Sequence, residues 1–398
     1  MQTEERGTRP LQSKSAVILI PKDTARTGLA RPMLLQRVMG APLLTWLTNA
    51  LTQRGIQRYF LVCQDRFLNE AKLCFPDGCA LTACMDREAA DPLHVFLSTA
   101  EDSDIQVLVI TGACVSLPPA RNFSGEPKAT CACRVARDEL MSALDDGDFS
   151  FSRFLLSRGS ACTDLDGIYC VSTPEELSDW AAKIRRAHLQ SLSRQGVEIW
   201  DYENCYVDPG VTIGAGTVLL PGSLLRGRTV VGSDCVIGPN ALLEGACVGN
   251  GCRINASQVY ECTLGSDCTV GPYACIRPGS SLGSRVRVGT ATELNRTNLG
   301  EGTHAGALCS LRELDSGRDC CIGAGSISAA YTPENTGRVT LEDHAVIGGG
   351  ATLAGPVTVG RSAAVAAGTT LNEAVPAQTL ATLRGRHAAR RDWVLRKQ

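Results

Sequence analysis

Residues 234–249 read DCVIGPNALLEGACVG, and their two aliphatic-glycine pairs, Ile237-Gly238 and Val248-Gly249, belong to a longer series. It runs from Ile213-Gly214 and Val231-Gly232 through Leu264-Gly265, Val270-Gly271, Leu282-Gly283, Val288-Gly289, Leu299-Gly300 and Ile322-Gly323 to Ile347-Gly348 and Val359-Gly360. Several steps are six residues or a multiple of six, as from glycine 232 to 238, 265 to 271, 283 to 289 and 348 to 360. Such a period is neither helical nor that of a half-buried strand. It fits a parallel β-helix: the aliphatic side chain points into a narrow prism, the next residue turns a corner that glycine allows cheaply, and each coil covers the apolar face of its neighbour. About 165 residues then make roughly nine coils of three faces.

Steps of 11, 16 and 25 residues (238 to 249, 249 to 265, 323 to 348) predict local loops or shortened corners. The longest encloses AAYTPENTGR, residues 329–338, whose Pro and Asn-Thr-Gly read as an extruded loop. Such a loop is either a tolerated insertion or an arm that closes over a ligand. After Asn372 the repeat stops, and TLRGRHAARRDWVLRKQ carries seven basic side chains, counting His387, which read as a solvated or coil-capping end, with a polyanion-binding tail as the alternative.

The first half has another grammar. SAVILIP, RYFLVC (58–63) and IQVLVITG (105–112) are continuous apolar runs of the kind buried on both faces of a parallel sheet. Residues 33–54 carry Leu35, Val38, Leu43, Leu44, Leu47 and Leu51 at helical spacing. In TPEELSDWAAKIRRAHLQSLSR, Thr173 reads as an N-cap, Pro174 as the first turn, and Glu176 as the residue that returns the capping hydrogen bond. The expected divisions are a tail (1–14), an α/β domain with its closing helix (15–196), a linker (197–206), the β-helix (207–374) and a basic tail (375–398).

At 398 residues and 44% apolar content the chain can bury two cores. Thirty-nine basic against 41 acidic side chains leave a net charge of −2, which gives no global electrostatic case for nucleic acid or an anionic membrane. The charged start precedes an apolar run of only AVILIP, too short for a signal peptide or a membrane span, so a cytoplasmic protein without membrane insertion is expected. The 19 cysteines are dispersed without any C-x-x-C pair, which argues against metal or redox use. Cys235, Cys247, Cys252, Cys262, Cys268 and Cys275 recur at similar points of the repeat and read as small packing residues.

An α/β half, a connecting helix and hexapeptide coils carrying GVEIWDYENCYVDPGVTIGAGTVLLPGSLL, CTVGPYACIRPGSSL, CIGAGSI, GPVTVG and VAAGTTL in that order resemble the bifunctional N-acetylglucosamine-1-phosphate uridylyltransferase and glucosamine-1-phosphate acetyltransferase family. The resemblance implies a Rossmann-like nucleotidyltransferase domain followed by a left-handed parallel β-helix, assembled as a homotrimer, in sugar-nucleotide supply for peptidoglycan. It also exposes departures. The family's glycine-rich phosphate loop corresponds to LIPKDTART, with Lys22 and Thr24 in place of glycines, Arg26 retained for substrate, and Met33 in place of a lysine. Ala113 stands where the family's magnesium aspartate belongs, so neither Mg2+ nor any other metal site is expected.

In GTHAGALCSL the family's histidine base corresponds to Ala307 and its tyrosine to Ser310. An imidazole suits removal of a proton from the sugar amine, whereas a methyl group cannot accept one. His304, three residues earlier, is the substitute candidate. Of the sugar-phosphate contacts Arg277 remains, while Asn295, Cys321 and Ala330 replace family residues. On the acyl side Ala324, Tyr331, Ala367 and Arg384 match positions that line the coenzyme A site, and Gly349 replaces a serine. The implied ligands are acetyl-CoA and a sugar phosphate. The expected function is a regulatory or ligand-binding homologue with both catalytic centres stripped. The rivals are an active enzyme with altered residues, using Lys22, Asp23 and Arg26 or His304, and a bare scaffold.

Overall fold

The computed structural model describes residues 13–85, 88–117, 131–145, 167–330 and 337–382. The chain forms two compact units, Met1–Ser191 with Val207–Pro209, and Leu192–Tyr206 with Gly210–Gln398.

Among the described residues the first unit holds a sheet of five strands in the spatial order Ala80–Met85, Arg58–Cys63, Ser15–Leu19, Gln106–Ile110, Ala132–Ala136. The strands are parallel except the last, which runs antiparallel to Gln106–Ile110. Val17 lies opposite Phe60 and Val109, and Ile18 opposite Leu61 and Ile110. Because successive side chains leave opposite faces of a strand, the first trio enters one core with Leu93 and Leu97 of the helix Ala90–Ser98. The second trio enters another with Leu44, Leu47 and Leu51 of the helix Leu43–Gln53. Burial on both faces is why these strands read as unbroken apolar runs.

Helical spacing over 33–54 becomes a helix only from Leu43. Upstream lie a turn of 3₁₀ helix, Met33–Leu35, and a short hairpin, Arg37–Val38 with Ala41–Pro42. Gly40, with φ 89°, makes the reversal that a continuous helix would forbid. The helix Pro174–Arg194 starts as its capping pattern predicts, with Glu176 N–H donating to Thr173 Oγ1 at 3.2 Å. The returning bond goes to the preceding residue: Ser172 N–H donates to Glu176 Oε2 at 2.8 Å.

The second unit is a prism of short parallel strands, a left-handed β-helix whose three faces carry eleven, ten and nine strands among the described residues. On the first face Leu219, Ile237, Ile254, Val270, Val288, Ala305, Ile322, Ile347 and Val365 stack in register, none more than 2% exposed. Consecutive members lie 16 to 18 residues apart except from 322 to 347. The steps of 11 and 16 are therefore coils shortened at a corner, and only the longest step carries an insertion. Coiling begins inside the expected linker: Glu198–Ile199 already pairs with Val218–Leu219. It also runs past 374, where Ala364–Val365 pairs with Leu380–Ala381.

Gly238 and Gly271, with φ 107° and 98°, take the left-handed backbone that the corner reading expects, but most glycines of the series are there for a different reason. Gly265 and Gly283 are not left-handed; a Cβ on them would lie 2.6 and 2.7 Å from backbone nitrogens of Ser284 and Glu301 in the next coil. The left-handed positions come two residues later, at Asp267 and Arg285, both with φ 59°. At Gly265 and Gly283 close coil stacking, rather than chain reversal, excludes a side chain.

The cysteines need two corrections. Cys131 and Cys170 form a disulfide in the first unit, which a reading of dispersed packing thiols did not anticipate. In the prism the buried thiols also donate hydrogen bonds. Thr217 and Thr303 hydroxyls donate to the carbonyls of Gly232 (2.8 Å) and Gly317 (3.0 Å). At the same level of other coils Cys235, Cys252 and Cys268 donate to Gly249 (3.2 Å), Gly265 (3.1 Å) and Gly283 (3.1 Å). The thiol is a threonine hydroxyl's substitute there, satisfying carbonyls between coils. Cys247 and Cys275 are not part of that level: they sit at outward strand positions of the third and second faces, the first exposed and the second half-buried.

Candidate functional site

The prism brings four of the positions singled out in sequence into one column. A Cβ on Gly289 would meet Ala307 N at 2.7 Å, one on Gly306 would meet Ala324 N at 2.7 Å, and Gly323 and Gly348 face Gly349 and Ala367 in the same way. Ala307, Ala324, Gly349 and Ala367 thus follow one another up the corner that ends the first face. Backbone bonds tie the column together: Gly325 N–H donates to Ala307 O and Gly350 N–H to Ala324 O, both at 2.8 Å. These four positions bear no side chain larger than a methyl group, so they themselves offer no proton acceptor except backbone carbonyls. Tyr331 and Arg384, the other two acyl-side positions, lie outside the described residues, as does the side chain of Arg26.

His304 is not part of that column. It occupies an outward position in the strand His304–Ala305, exposed, in register between Arg287 and Cys321. Its neighbour Ala305 points into the core. The alternation of a strand therefore turns the imidazole away from the inward stack, and the corner residue Ala307 follows only after Gly306.

Arg277 leaves from the second face. Its Nε donates to Glu293 Oε1 at 2.5 Å, and the acidic partner raises the guanidinium pKa above its ordinary value. Both side chains are about half exposed, 52% and 41%, so water screens the pair and its net contribution to stability is small. Asn295 lies at the same level one coil on, in register with Arg312. The one retained sugar-phosphate residue is thus engaged with a carboxylate that the sequence reading passed over. The coil register reveals it: Glu293 lies in register with Cys275, two residues from Arg277.

A second group was also missed. Ser281 Oγ donates to Asn298 Oδ1, and Asn298 Nδ2 to Asp315 Oδ1, both at 2.7 Å, on successive coils of the third face. Arg338 grips Asp315 from Nε and Nη2 at 2.6 Å each and reaches Glu313 Oε2 at 3.2 Å. The guanidinium holds the Asp315 carboxyl below its usual range. Arg338 is the second residue described after the insertion, so this fork anchors the point where the chain rejoins the coil.

In the first unit the phosphate-loop equivalents have become framework. Met33 is 1% exposed and sits in the core. Asp23 Oδ2 accepts from Met33 N–H at 3.3 Å, while its carbonyl accepts from Thr27 Oγ1 at 2.9 Å. Ala113 is buried, and its carbonyl accepts from Val171 N–H at 2.9 Å. These residues do not fit Mg2+: the aspartate position bears a methyl group, and the described residues hold no cluster of three or more His, Cys, Asp or Glu side chains able to bind a metal. No helix among the described residues is long and apolar enough to cross a membrane.

Stacked coils of this length, with aliphatic-glycine steps recurring along the first and third faces, define a hexapeptide-repeat protein. A family model described as hexapeptide repeat of succinyl-transferase matches residues 228–256 and 338–373. The chain is GlmU-like: it is 36% identical over 234 residues to bifunctional protein GlmU of Alkaliphilus oremlandii (strain OhILAs), covering 59% of this chain and 51% of that protein. It is 39% identical over 218 residues to bifunctional protein GlmU of Brevibacillus brevis (strain 47), covering 55% and 47%. The chain spans about half the length of the curated relatives it matches. Among solved structures, UDP-N-acetylglucosamine acyltransferase of Francisella novicida matches with 16% identity and a TM-score of 0.29, over 47% of this chain and 67% of that one.

Proposed function

We propose that the chain is a regulatory or ligand-binding homologue of GlmU in cytoplasmic UDP-N-acetylglucosamine supply, assembled as a homotrimer and lacking both catalytic activities. The observation that carries this reading is Ala307 in the corner column, where the resemblance calls for the base. The exposed His304 points outward from the first face, three residues before that corner, and the retained Arg277 is paired with Glu293. In the first unit, the buried Ala113 and Met33 supply neither a carboxylate for a metal nor a cation for phosphate. The column of Ala324, Gly349 and Ala367 carries no bulky side chain that would keep an acyl-CoA pantetheine from lying along the prism, and Tyr331 and Arg384 are the further acyl-side positions that the resemblance gives.

The test is turnover and binding on the full chain. Loss of a general base lowers rates by roughly 100- to 10,000-fold. Incubation with glucosamine-1-phosphate and acetyl-CoA should therefore release thiol at background rate, and UTP with N-acetylglucosamine-1-phosphate and Mg2+ should release no pyrophosphate. Calorimetry should detect acetyl-CoA, weakened by Arg384→Ala. Robust acetyl transfer abolished by His304→Ala, or nucleotidyl transfer abolished by Arg26→Ala, would replace this reading with that of an active enzyme.

A further inference from the structure

Three cysteines of the first unit meet beside the short strands Cys114–Ser116 and Ile168–Cys170. Cys131 and Cys170 are joined by a disulfide whose Cα atoms lie 5.8 Å apart. Cys114 is a free thiol, fully buried, in antiparallel register with Cys170. A disulfide with a third thiol directly opposite one of its residues has the parts that exchange requires: an attacking group, a bond to break and a leaving group.

The hydrogen bonds flanking Cys114 and Cys170 fix how they face each other. Val171 N–H donates to Ala113 O at 2.9 Å, and Leu117 N–H to Gly167 O at 2.8 Å. Bonded and unbonded pairs alternate along an antiparallel ladder, so Ala113 with Val171 and Leu117 with Gly167 are bonded pairs and Cys114 with Cys170 is an unbonded one. Residues opposite each other in an unbonded pair have Cα atoms about 4.5 Å apart and the closest side chains. That spacing falls within the roughly 4.4–6.8 Å over which a disulfide closes. Cys170 therefore has two partners in reach: Cys131, to which it is bonded, and Cys114 across the ladder.

The two links differ in the thiol they leave over. With Cys131 bound, the spare thiol is Cys114, sealed in the core, where burial pushes its pKa up to about 12. With Cys114 bound, the spare thiol is Cys131, which is half-buried and open to reagents. We infer that Cys114, Cys131 and Cys170 form a thiol–disulfide exchange site that presents Cys131 to small thiols and electrophiles when Cys170 changes partner. In the exchange, local opening of the ladder lets solvent take the Cys114 proton. Cys114 Sγ then bonds to Cys170 Sγ, the Cys131–Cys170 bond breaks with its electron pair on Cys131, and Cys131 takes up a proton. One disulfide and one thiol stand on each side, so no oxidant or reductant is consumed. The thiolate is the nucleophile, so a thiol held protonated exchanges slowly. The site is independent of the nucleotide and acyl positions discussed above.

The test is disulfide mapping on the full chain. The protein is held at mildly alkaline pH in a mixture of reduced and oxidised glutathione, alkylated with iodoacetamide, digested and read by mass spectrometry. A Cys114–Cys170 peptide should appear beside the Cys131–Cys170 peptide, and alkylated Cys131 should accumulate in molecules whose Cys170 is still linked. Cys114→Ala should abolish that labelling. Cys131→Ser should close Cys114 onto Cys170, giving a mass two hydrogens below that of the dithiol. Cys235, fully buried in the other unit, and Cys63, buried in the core of this one, report folding, since both should stay unalkylated throughout. The native chain decides the matter even where a variant fails to fold. Alkylated Cys131 found only in molecules whose Cys170 is also free, or free thiols at both 114 and 170 in folded Cys131→Ser, would each overturn the assignment.

Discussion

His188 shows how a single ring responds to its surroundings in the first unit. It meets the Trp46 ring edge-on at 5.2 Å, and its Nε2 is cut off from water without a hydrogen-bond partner. Burial disfavours the imidazolium and lowers the pKa from 6.5 to about 4, with a backbone hydrogen bond at Asp208 pulling the other way. The folded state thus binds fewer protons than the unfolded chain between those two values. Stability from the neutral ring is complete above pH 6.5 and is lost as pH falls towards 4, with a slope of at most about 1.4 kcal/mol per pH unit. Urea unfolding midpoints measured from pH 7 to 4 should fall more steeply for the native protein than for His188→Gln. Parallel profiles would show that the ring titrates normally.

The elements reveal which parts of the molecule could be read in advance. The capping residues Thr173 and Glu176 sit within four residues of one another, so the pattern and the structure contain the same interaction. The periodic glycines were equally legible, although their reason was not: contact between Gly265 and Ser284 crosses a coil, and no local rule about turn residues describes it. The Cys131–Cys170 bond joins segments 39 residues apart, brought together only when Cys114–Ser116 pairs with Ile168–Cys170. Of the candidate site, the substitutions at Ala307 and Ala113 were plain from the residues, whereas the pairing of Arg277 with Glu293 required the coil register.

That register also defines what Arg338 does at the third face. Its two-pronged contact with Asp315 continues the ladder from Ser281 through Asn298, but both charged side chains are about 40% exposed. Removing the fork by Arg338→Ala should cost only about 1 kcal/mol in global stability. Its local effect should be larger, since the residues just before it rejoin the coil there. Amide exchange should therefore quicken around 337–341 with little change at Val270 or Ile276. Uniform acceleration throughout the prism would mean that the fork supports the whole unit.

Across the whole prism, stability comes from contacts that each coil makes with the coils immediately before and after it. Ile276 is fully buried and stacks between Val259 and Leu294 on the second face, so truncation opens a space bounded by side chains on both sides. Leu371 stacks on Leu353 as the last strand of that face among the described residues, and it is 8% exposed. Ile276→Ala should cost about 2–5 kcal/mol, the range for deleting a large aliphatic side chain from a packed core. Leu371→Ala should cost less than half as much, because its cavity can relax towards the end of the stack. The comparison is a urea titration of the two variants beside the native protein, following the β-sheet signal. A terminal substitution as damaging as the central one would mean that the coils unfold as a single cooperative block whose last turn is as indispensable as its middle.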